Sequence, residues 1–253
     1  VKARSGRGDT VRMMLSAKDI TKTYRQGRTD VRALKGASLE VRPGERIYVH
    51  GPSGAGKSTL LHALGGLERP TSGKVLFKGR DIYRLSGAAR SKLRNRSFGF
   101  VFQMYYLLPE FSVLENVMMP ALIKGEWAGG ALRSRAEGLL GAVGLEARGR
   151  HRPGELSGGE AQRTAIARAL INSPDVLFCD EPAGNLDSGS ADTIYSLMSD
   201  RSEKRGMSVV VISHQDVRKD FYHTEYLMKD GLLTGPDGSF TGRLSVKTEA
   251  VKK

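Results

Sequence analysis

Apolar runs alternate with polar and glycine-rich segments along the chain, and this pattern predicts β-strands and α-helices in turn. Three valines and an isoleucine follow one another within residues 208–212, as expected of a parallel strand that is buried on both faces. Short β-type runs lie between residues 13 and 49. The other predicted strands are at 46–49, 73–77, 98–102 and 176–179. Helices are predicted at Lys57–Leu64, 158–171 and 191–205, and the stretch 113–145 is predicted to be mainly helical. This alternation predicts a doubly wound α/β core with a helical insert between about residues 104 and 155.

The length and composition are those of a globular protein. The 253 residues fit one large α/β domain, and 39% hydrophobic residues suffice for a full core, which excludes a disordered or collagen-like chain. No apolar run approaches the ~18 residues of a membrane helix, because the best candidate, 117–123, is short and contains Pro120. The basic N-terminal residues have no apolar stretch behind them, so we expect a cytosolic protein without a secretory signal. The single cysteine, Cys179, excludes an internal disulfide and is expected to pack as a small hydrophobe.

The net charge of +13 is concentrated in residues 1–12, 84–96 and 243–253. Two of these segments are termini, which are usually solvated. The distribution favours a solvated surface with loose attraction to anionic lipid headgroups. Nucleic acid is the alternative partner, but no aromatic and basic stripe or groove-reading motif accompanies the charge.

A glycine-rich loop follows the predicted strand at 46–49 and opens the predicted helix Lys57–Leu64. It fits the pattern G-x-x-x-x-G-K-[ST] at every fixed position and consists of Gly51, Pro52, Ser53, Gly54, Ala55, Gly56, Lys57 and Ser58. The glycines let backbone N–H groups turn towards phosphate oxygens, Lys57 reaches the β- and γ-phosphates, and the Ser58 hydroxyl can ligate Mg²⁺. We therefore predict a nucleotide site at this loop and include the next residue, Thr59, in it.

Two carboxylates follow the apolar strand that is predicted at 176–179. Asp180 suits the coordination shell of Mg²⁺, and Glu181 can polarise a water molecule for in-line attack on the γ-phosphate. Both would lie at the carboxyl edge of the sheet, where open α/β folds bind their ligands. The alternative is a pair of acids that caps the next helix.

Three other residues can each play two roles. His214 follows a predicted strand and is either a γ-phosphate sensor or a structural histidine. Gln103 also follows a predicted strand and is either a ligand of Mg²⁺ and the attacking water or a surface amide. Tyr24 either stacks on a nucleotide base or simply packs.

A second anion cradle is predicted in the sequence LSGGEAQR of residues 156–163. Ser157, Gly158 and Gly159 at a helix N-terminus would expose backbone donors to a phosphate, although the string taken alone could also be a capped helix start. The string lies between the phosphate loop and the acid pair, and in this order the motifs resemble those of ATP-binding cassette (ABC) ATPases. The resemblance covers the chain from Tyr24 to about Gly235.

The resemblance implies a fold as well as ligands. The expected fold is α/β, a P-loop NTPase of the ABC-cassette type with a RecA-like core sheet, an N-terminal antiparallel β subdomain and a helical subdomain at about 104–160. A single ATPase domain would span residues 13–240, between basic tails at 1–12 and 241–253. The implied cofactors are ATP and Mg²⁺, and the implied active unit is a homodimer that sandwiches two ATP molecules.

The resemblance also implies what individual residues do. Each ATP site would combine the phosphate loop and acids of one subunit with the signature of its mate: Lys57, Ser58, Asp180, Glu181 and His214 of one chain with Ser157, Gly158 and Gly159 of the other. Tyr24 would stack on adenine, Gln103 would couple the site to a membrane partner, and Asp187, in the sequence GNLD of residues 184–187, would belong to a dimer contact.

The segment 104–111 directly follows Gln103 and is rich in aromatic and aliphatic residues. Such a segment is either buried core or a docking groove for a partner's helix. The family resemblance implies the groove, with integral membrane transporter subunits docking near residues 103–111 and holding the protein at the membrane.

Within the family, the chain is most similar to the lipoprotein-releasing (LolD-type) branch, on the sequences LLPEFSVLENV at 107–117, HRPGE at 151–155 and GNLD at 184–187. The expected function is ATP-driven lipoprotein release, carried out peripherally at the cytoplasmic face of a bacterial inner membrane. Rival functions are drug or peptide efflux of the MacB type and control of wall hydrolysis by a cell-division cassette of the FtsE type. A cassette of DNA repair or translation is disfavoured, because it would need coiled-coil arms or a second cassette, so we expect no sequence-specific nucleic acid partner.

Overall fold

The computed structural model describes residues 13–27, 29–127, 129–214 and 217–242. The predicted basic tail 1–12, and the predicted tail 241–253 apart from its first two residues, lie outside the described residues. The strands are β1 (Leu15–Gln26), β2 (Thr29–Val41), β3 (Arg46–His50), β4 (Ser72–Phe77), β5 (Arg80–Asp81), β6 (Phe98–Val101), β7 (Val176–Asp180), β8 (Ser208–Ser213), β9 (Thr224–Lys229) and β10 (Leu232–Thr234). The α-helices are α1 (Lys57–Leu64), α2 (Gly87–Ser97), α3 (Val113–Ile123), α4 (Gly130–Ala142), α5 (Gly158–Leu170) and α6 (Ser188–Arg205).

A six-stranded sheet in the order β10-β9-β3-β8-β7-β6 forms the centre of the fold. The strands from β9 to β6 are parallel, and β10 pairs antiparallel with β9. All six residues of β8 are buried, as its apolar run predicts. Because the strands are parallel, the segments that follow β3, β6, β7 and β8 all leave the sheet at the same edge.

The second sheet is antiparallel, with the order β2-β1-β4-β5. The sequence predicted only short β-type runs here, but β1 and β2 have 12 and 13 residues. Register shifts interrupt their pairing between Ala17 and Ile20 and between Lys22 and Thr23. Each shift breaks the alternation of inward and outward side chains, so two long strands have the sequence pattern of several short ones.

The core has two parts, one on each face of the six-stranded sheet. Phe178 of β7 and Val210 of β8 face the part that α1 and the antiparallel sheet cover. Their neighbours Leu177 and Val209 face the opposite part, which α3, α4, α5 and α6 cover. A strand that contributes alternate residues to two cores has no polar face, which explains the continuous apolar runs.

The helical insert begins with α3 and α4, which together occupy most of the stretch 113–145 that the sequence predicted to be mainly helical. Gly125, with φ of +95°, lies in the turn between them. Ser112 caps α3 in a reciprocal pair with Glu115, and the helix tolerates Pro120 near its end. The predicted start of α6 at residue 191 is wrong by three residues, because Asp187 caps the helix and Ser188 is its first residue.

The sequence analysis did not predict four elements: α2, β5, β9 and β10. Helix α2 covers most of the basic segment 84–96, buries none of its own side chains and begins after the cap Ser86. A helix without a buried face has no apolar periodicity, and only its charge was evident from the sequence. In the described part of the chain, none of the helices combines the length and apolar character that crossing a bilayer requires.

Candidate active site

The glycine-rich loop curls around the side chain of Lys57 between β3 and α1. The Lys57 ammonium donates hydrogen bonds to the carbonyl oxygens of Gly51 at 2.7 Å and Pro52 at 3.0 Å. A β-carbon at Gly51, where φ is +147°, would lie 1.9 Å from the carbonyl oxygen of Met228. A β-carbon at Gly56, where φ is +103°, would lie 2.4 Å from the carbonyl oxygen of Ala33. Both positions therefore require glycine, and the loop shape follows from them.

Two oxygen atoms that could bind a hard cation lie next to each other, one at the start of α1 and one at the end of β7. The Ser58 hydroxyl donates a hydrogen bond of 2.9 Å to Oδ2 of Asp180 at the end of β7. Burial raises the pKa of Asp180 above its ordinary value, and the hydrogen bond from Ser58 opposes this shift. A half-buried carboxylate beside a hydroxyl offers two oxygen atoms of the kind that bind a divalent cation.

Glu181 is held by three hydrogen bonds from the end of β8. Its Oε2 accepts from the Ser213 hydroxyl at 2.8 Å, and its Oε1 lies 2.9 Å from the His214 backbone nitrogen and 2.6 Å from His214 Nδ1. Glu181 is buried and adopts a left-handed φ of +53°, which is rare outside glycine. The capping alternative for the acid pair is wrong, since Asp187 is the residue that caps α6.

An open cavity of about 420 Å³ brings these residues together at the carboxyl edge of the sheet. Gln103 reaches it from the end of β6 and His214 from the end of β8, so the sheet places both beside the phosphate loop. Its lining consists of Ala33, Ser53, Gly54, Gly56, Lys57, Ser58, Thr59, Gln103, Asp180, Glu181 and His214. Ten of these eleven residues were predicted from the sequence, and Ala33 was not.

Tyr24 lies outside the lining of this cavity. Its hydroxyl donates to Oε2 of Glu68 at 2.5 Å, and the Lys22 ammonium lies 5.0 Å from the centre of its ring. Burial and the Glu68 carboxylate raise the pKa of the phenol. The ring therefore has protein partners on its own chain, and stacking on adenine stays a prediction.

The residues Ser157, Gly158 and Gly159 lie outside the cavity as well and begin helix α5. Ser157 accepts a hydrogen bond from the Glu160 backbone N–H, and Glu160 accepts in return from Ser157, which lowers the pKa of Glu160 to about 2. A β-carbon at Gly159 would lie 3.3 Å from the Asn185 carbonyl oxygen, so the helix start adjoins the loop at 184–187 that leads to Asp187. The signature and this loop form one surface of the chain.

Most of the segment after Gln103 is exposed, so the alternative that 104–111 is buried core is wrong. Met104 and Tyr106 expose 72% and 62% of their surface. Tyr105 and Tyr106 both have left-handed backbones, and Arg168 of α5 donates to both of their carbonyl oxygens. The Tyr105 hydroxyl accepts a hydrogen bond of 2.7 Å from Asn185, so this segment contacts the signature helix and the 184–187 loop together.

The sequence analysis missed two residues that organise the site. One is Ser213, whose hydroxyl hydrogen-bonds Glu181. Its position directly before His214 is the only feature of the sequence that could have indicated this role. Asn116 is fully buried, and its amide bonds Leu108, Phe111 and Ser112. Nothing in the local pattern distinguishes Asn116 from a surface asparagine.

The site and the fold are those of an ATP-binding cassette. The phosphate loop, the acids Asp180 and Glu181 and His214 meet at one edge of the sheet, and the sequence LSGGEAQR begins a separate helix. Residues 34–184 match the sequence family described as ABC transporter. The chain belongs to this family and is an ABC ATPase, as the sequence predicted. The predicted fold class is likewise confirmed.

Two curated relatives are named lipoprotein-releasing system ATP-binding protein LolD. The protein from Syntrophotalea carbinolica is 49% identical over 222 residues, which cover 88% of this chain and 97% of the relative. The protein from Geobacter metallireducens is 50% identical over 218 residues, which cover 86% and 96%.

Two solved structures of a bacterial ABC transporter cassette, MJ0796, are similar to this chain in fold. One is dimeric, and the other is a dimeric post-hydrolysis state bound to ADP and Pi. Each has a TM-score of 0.83 and 38% identity and covers 86% of this chain and 95% of the solved chain.

Proposed function

We propose that this chain is the ATPase subunit of a membrane complex that releases lipoproteins from a bacterial inner membrane. One observation carries the proposal: this chain is about 50% identical to two relatives that are named for lipoprotein release. The aligned residues cover most of this chain and nearly all of each relative. That identity extends well beyond the short motifs that every nucleotide-binding cassette needs. It favours this branch over efflux of the MacB type and wall-hydrolysis control of the FtsE type.

Within the cavity, each residue has a role that follows from its position. The Lys57 ammonium and the loop N–H groups bind the ATP phosphates, as the positively charged end of α1 favours. Ser58 and Asp180, with Gln103, would hold Mg²⁺, which supplies charge neutralisation to the phosphates. Glu181 orients and polarises the attacking water, and His214 holds the Glu181 carboxylate and faces the γ-phosphate.

Among the described residues, no three or more His, Cys, Asp or Glu side chains are arranged so that they could hold a metal ion by themselves. The remaining ligands of Mg²⁺ would then be phosphate oxygens and water, which is usual for this cation. The metal and the nucleotide are therefore expected to bind together.

The active unit is proposed to be a homodimer. Ser157, Gly158 and Gly159 present backbone N–H groups at the start of α5, but they do not line the cavity that holds Lys57 in the same chain. A second copy can supply this signature to the phosphates, with Asp187 and its loop beside it at the contact. The solved relatives described above are dimeric cassettes.

A membrane subunit is proposed to dock beside Gln103, on the exposed segment 104–111 and the groove next to it. The groove has a volume of about 340 Å³ and includes Phe100, Phe102, Pro120 and Ile123 together with Arg94 and Arg168. Burial lowers the pKa of both guanidinium groups, and none of the described residues that line the groove is acidic. The expected occupant is therefore a cytoplasmic helix with apolar side chains and one carboxylate.

The proposed location is peripheral, at the cytoplasmic face of the membrane, where the partner subunits hold the protein. The proposed ATPase domain spans residues 13–240, with the helical subdomain at about 104–160. Both faces of the central sheet pack against the flanking parts of the described chain, which supports one continuous domain. The excess positive charge is assigned to anionic headgroups and not to sequence-specific nucleic acid binding.

The test is to tag the Glu181→Gln variant, trap it with Mg²⁺ and ATP in native membranes, and identify the co-purified proteins by mass spectrometry. Two related membrane subunits together with acylated lipoproteins are the expected result. The matched control is the double variant Lys57→Ala, Glu181→Gln, which should bind ATP about 10²-fold more weakly and, at an ATP concentration that saturates only the single variant, retain no lipoprotein. Recovery of wall hydrolases or of an efflux adaptor instead would overturn lipoprotein release and leave the ATPase assignment intact.

A further inference from the structure

The hydroxyl of Ser213 connects the buried strand β8 to the acid that faces the cavity. Ser213 is the last residue of β8, is 4% exposed, and donates a 2.8 Å hydrogen bond to Oε2 of Glu181. The other carboxylate oxygen, Oε1, is the one that His214 contacts through its backbone and its ring. The two carboxylate oxygens of Glu181 therefore have different partners: His214 contacts Oε1, and Ser213 hydrogen-bonds Oε2.

The Glu181 backbone needs such support. Its left-handed φ of +53° is a strained conformation for a residue with a side chain. The Glu181 backbone N–H donates to the Ile212 carbonyl oxygen at 3.0 Å, so β8 holds both the main chain and the side chain of this acid. A carboxylate fixed at both oxygens has a single orientation towards the cavity, whereas one fixed at Oε1 alone can pivot about that oxygen through coupled changes of its side-chain torsions.

We propose that Ser213 is a positioning residue for ATP hydrolysis, which sets the orientation of the Glu181 carboxylate through its hydroxyl. Ser213 is not among the residues that line the cavity, and its hydroxyl hydrogen-bonds the cavity residue Glu181. The inference rests on the proposed role of Glu181 as the residue that orients the attacking water. It assigns a function to a residue that the signature motifs of the sequence do not include.

This role predicts a specific kinetic pattern. Without the hydroxyl, ATP and Mg²⁺ still meet Lys57, Ser58 and Asp180, so KM should change less than twofold. The misoriented carboxylate should lower kcat about tenfold to a hundredfold, the usual effect of a small misplacement of a catalytic group. The ATP-bound dimer should accumulate during turnover, because binding precedes the slowed step.

The chain offers a matched control on the same strand. Ser208 begins β8, is fully buried, and donates a 2.8 Å hydrogen bond to the Arg42 carbonyl oxygen at the opposite edge of the sheet. Ser208→Ala removes a buried hydroxyl from the same strand, so it should lower the melting temperature as Ser213→Ala does. A role of Ser213 in stability alone would give both variants the same kcat.

The experiment compares Ser213→Ala, Ser213→Thr and Ser208→Ala in steady-state ATPase assays of the full chain, with ATP affinity measured by equilibrium binding. The expected result is a lowered kcat for Ser213→Ala only, near-normal turnover for Ser213→Thr, which keeps the hydroxyl, and unchanged kcat for Ser208→Ala. Equal kcat values for Ser213→Ala and the parent protein overturn the proposal. So does a kcat loss in Ser213→Ala that is matched by Ser208→Ala.

A parallel assay of Glu181→Gln separates this inference from the proposed mechanism. If Glu181→Gln keeps its turnover, the role of Glu181 is wrong and the role of Ser213 is overturned with it. If Glu181→Gln is inactive while Ser213→Ala is unaffected, the carboxylate acts as proposed but does not depend on Ser213.

Discussion

The ring nitrogen Nδ1 of His214 lies 2.6 Å from Oε1 of Glu181, although the two residues are 33 positions apart in the chain. Neighbouring parallel strands bring them together, since Glu181 follows β7 and His214 follows β8. The Glu181 side chain is buried and the His214 side chain is about half exposed. The histidine can therefore contact both the buried acid and a ligand in the open cavity.

Replacing His214 by alanine should remove this contact while the backbone hydrogen bond from residue 214 to Glu181 remains. We expect kcat to fall about 10²-fold with little change in ATP affinity, because a positioned group near the reacting phosphate is lost. Phosphate release and equilibrium ATP binding measure the two quantities. His223→Ala is the control: His223 accepts from the Arg46 N–H at the start of β3, and its loss should lower stability without lowering kcat. Unchanged turnover in His214→Ala would contradict the assignment.

Replacing Lys57 by alanine should weaken ATP binding about 10²-fold, which corresponds to about 2.7 kcal/mol. The ammonium lies inside the phosphate loop on the carbonyl oxygens of Gly51 and Pro52, where it is positioned for phosphate oxygens. Titration with a fluorescent ATP analogue gives the affinity. Lys92→Ala, on the exposed face of α2, carries the same charge change and should bind ATP like the parent protein. Equal affinities for both variants would exclude the proposed contact.

Two glycines of the phosphate loop should respond differently to alanine. Gly56→Ala introduces a β-carbon 2.4 Å from the Ala33 carbonyl oxygen at a φ of +103°, so we expect the free energy of unfolding to fall by more than ~2 kcal/mol. Gly54, with φ of +75°, has no atom within 4 Å of such a carbon, so Gly54→Ala should cost only the backbone strain of about 1–2 kcal/mol. Urea unfolding compares them. A larger loss of unfolding free energy for Gly54→Ala than for Gly56→Ala would contradict this prediction. It would show that the loop shifts to remove the close contact between the new β-carbon and the Ala33 carbonyl oxygen.

Asp180→Asn should stabilise the nucleotide-free protein at neutral pH. Burial raises the pKa of Asp180, so its ionised form is less favourable in the folded protein than in the unfolded chain. This penalty is present where the carboxylate is ionised and disappears as the pH falls through the raised pKa. The melting temperature of Asp180→Asn should therefore exceed that of the parent at pH 7, and the difference should shrink on acidification.

The same variant should lose the additional stabilisation that Mg²⁺ gives to the ATP complex. Thermal melts with ATP in EDTA or in Mg²⁺ measure this difference. A variant that is less stable than the parent without nucleotide, or that responds fully to Mg²⁺, would contradict the role of Asp180.

Asn116 should be needed for the shape of the exposed segment 104–111. Its buried amide accepts from the Leu108 N–H at 2.8 Å and donates to the carbonyl oxygens of Leu108, Phe111 and Ser112 at 3.0–3.1 Å. Asn116→Leu leaves these groups without their partner, so we expect a loss of about 2–4 kcal/mol in unfolding free energy and faster proteolysis of the segment. The exposed neighbour Glu110→Ala should leave both quantities unchanged. Equal proteolysis rates for the two variants would argue that packing alone shapes the segment.

Motifs with contiguous residues and fixed spacing were predictable from the sequence. The phosphate loop, the acids after β7 and the histidine after β8 each follow a strand that the apolar pattern predicts. The carboxyl ends of these parallel strands lie at the same edge of the sheet. Ten residues of the cavity lining follow from this reasoning. Elements without a distinct period, such as the basic helix α2, were missed because no buried face marks them.

The class of protein, the nucleotide-binding loop and the sheet edge that carries the site residues can be predicted from the amino-acid sequence, because each depends on short segments with a pattern of their own. Three contacts are visible only in the folded chain: Ser213 with Glu181, Asn116 with the segment after Gln103, and Tyr105 with Asn185. Partners such as Tyr105 and Asn185 are 80 positions apart, and their contact depends on how helices pack on the sheet. Hydrogen bonds of this kind satisfy polar groups that become neighbours only after folding, and no local pattern of residues encodes them.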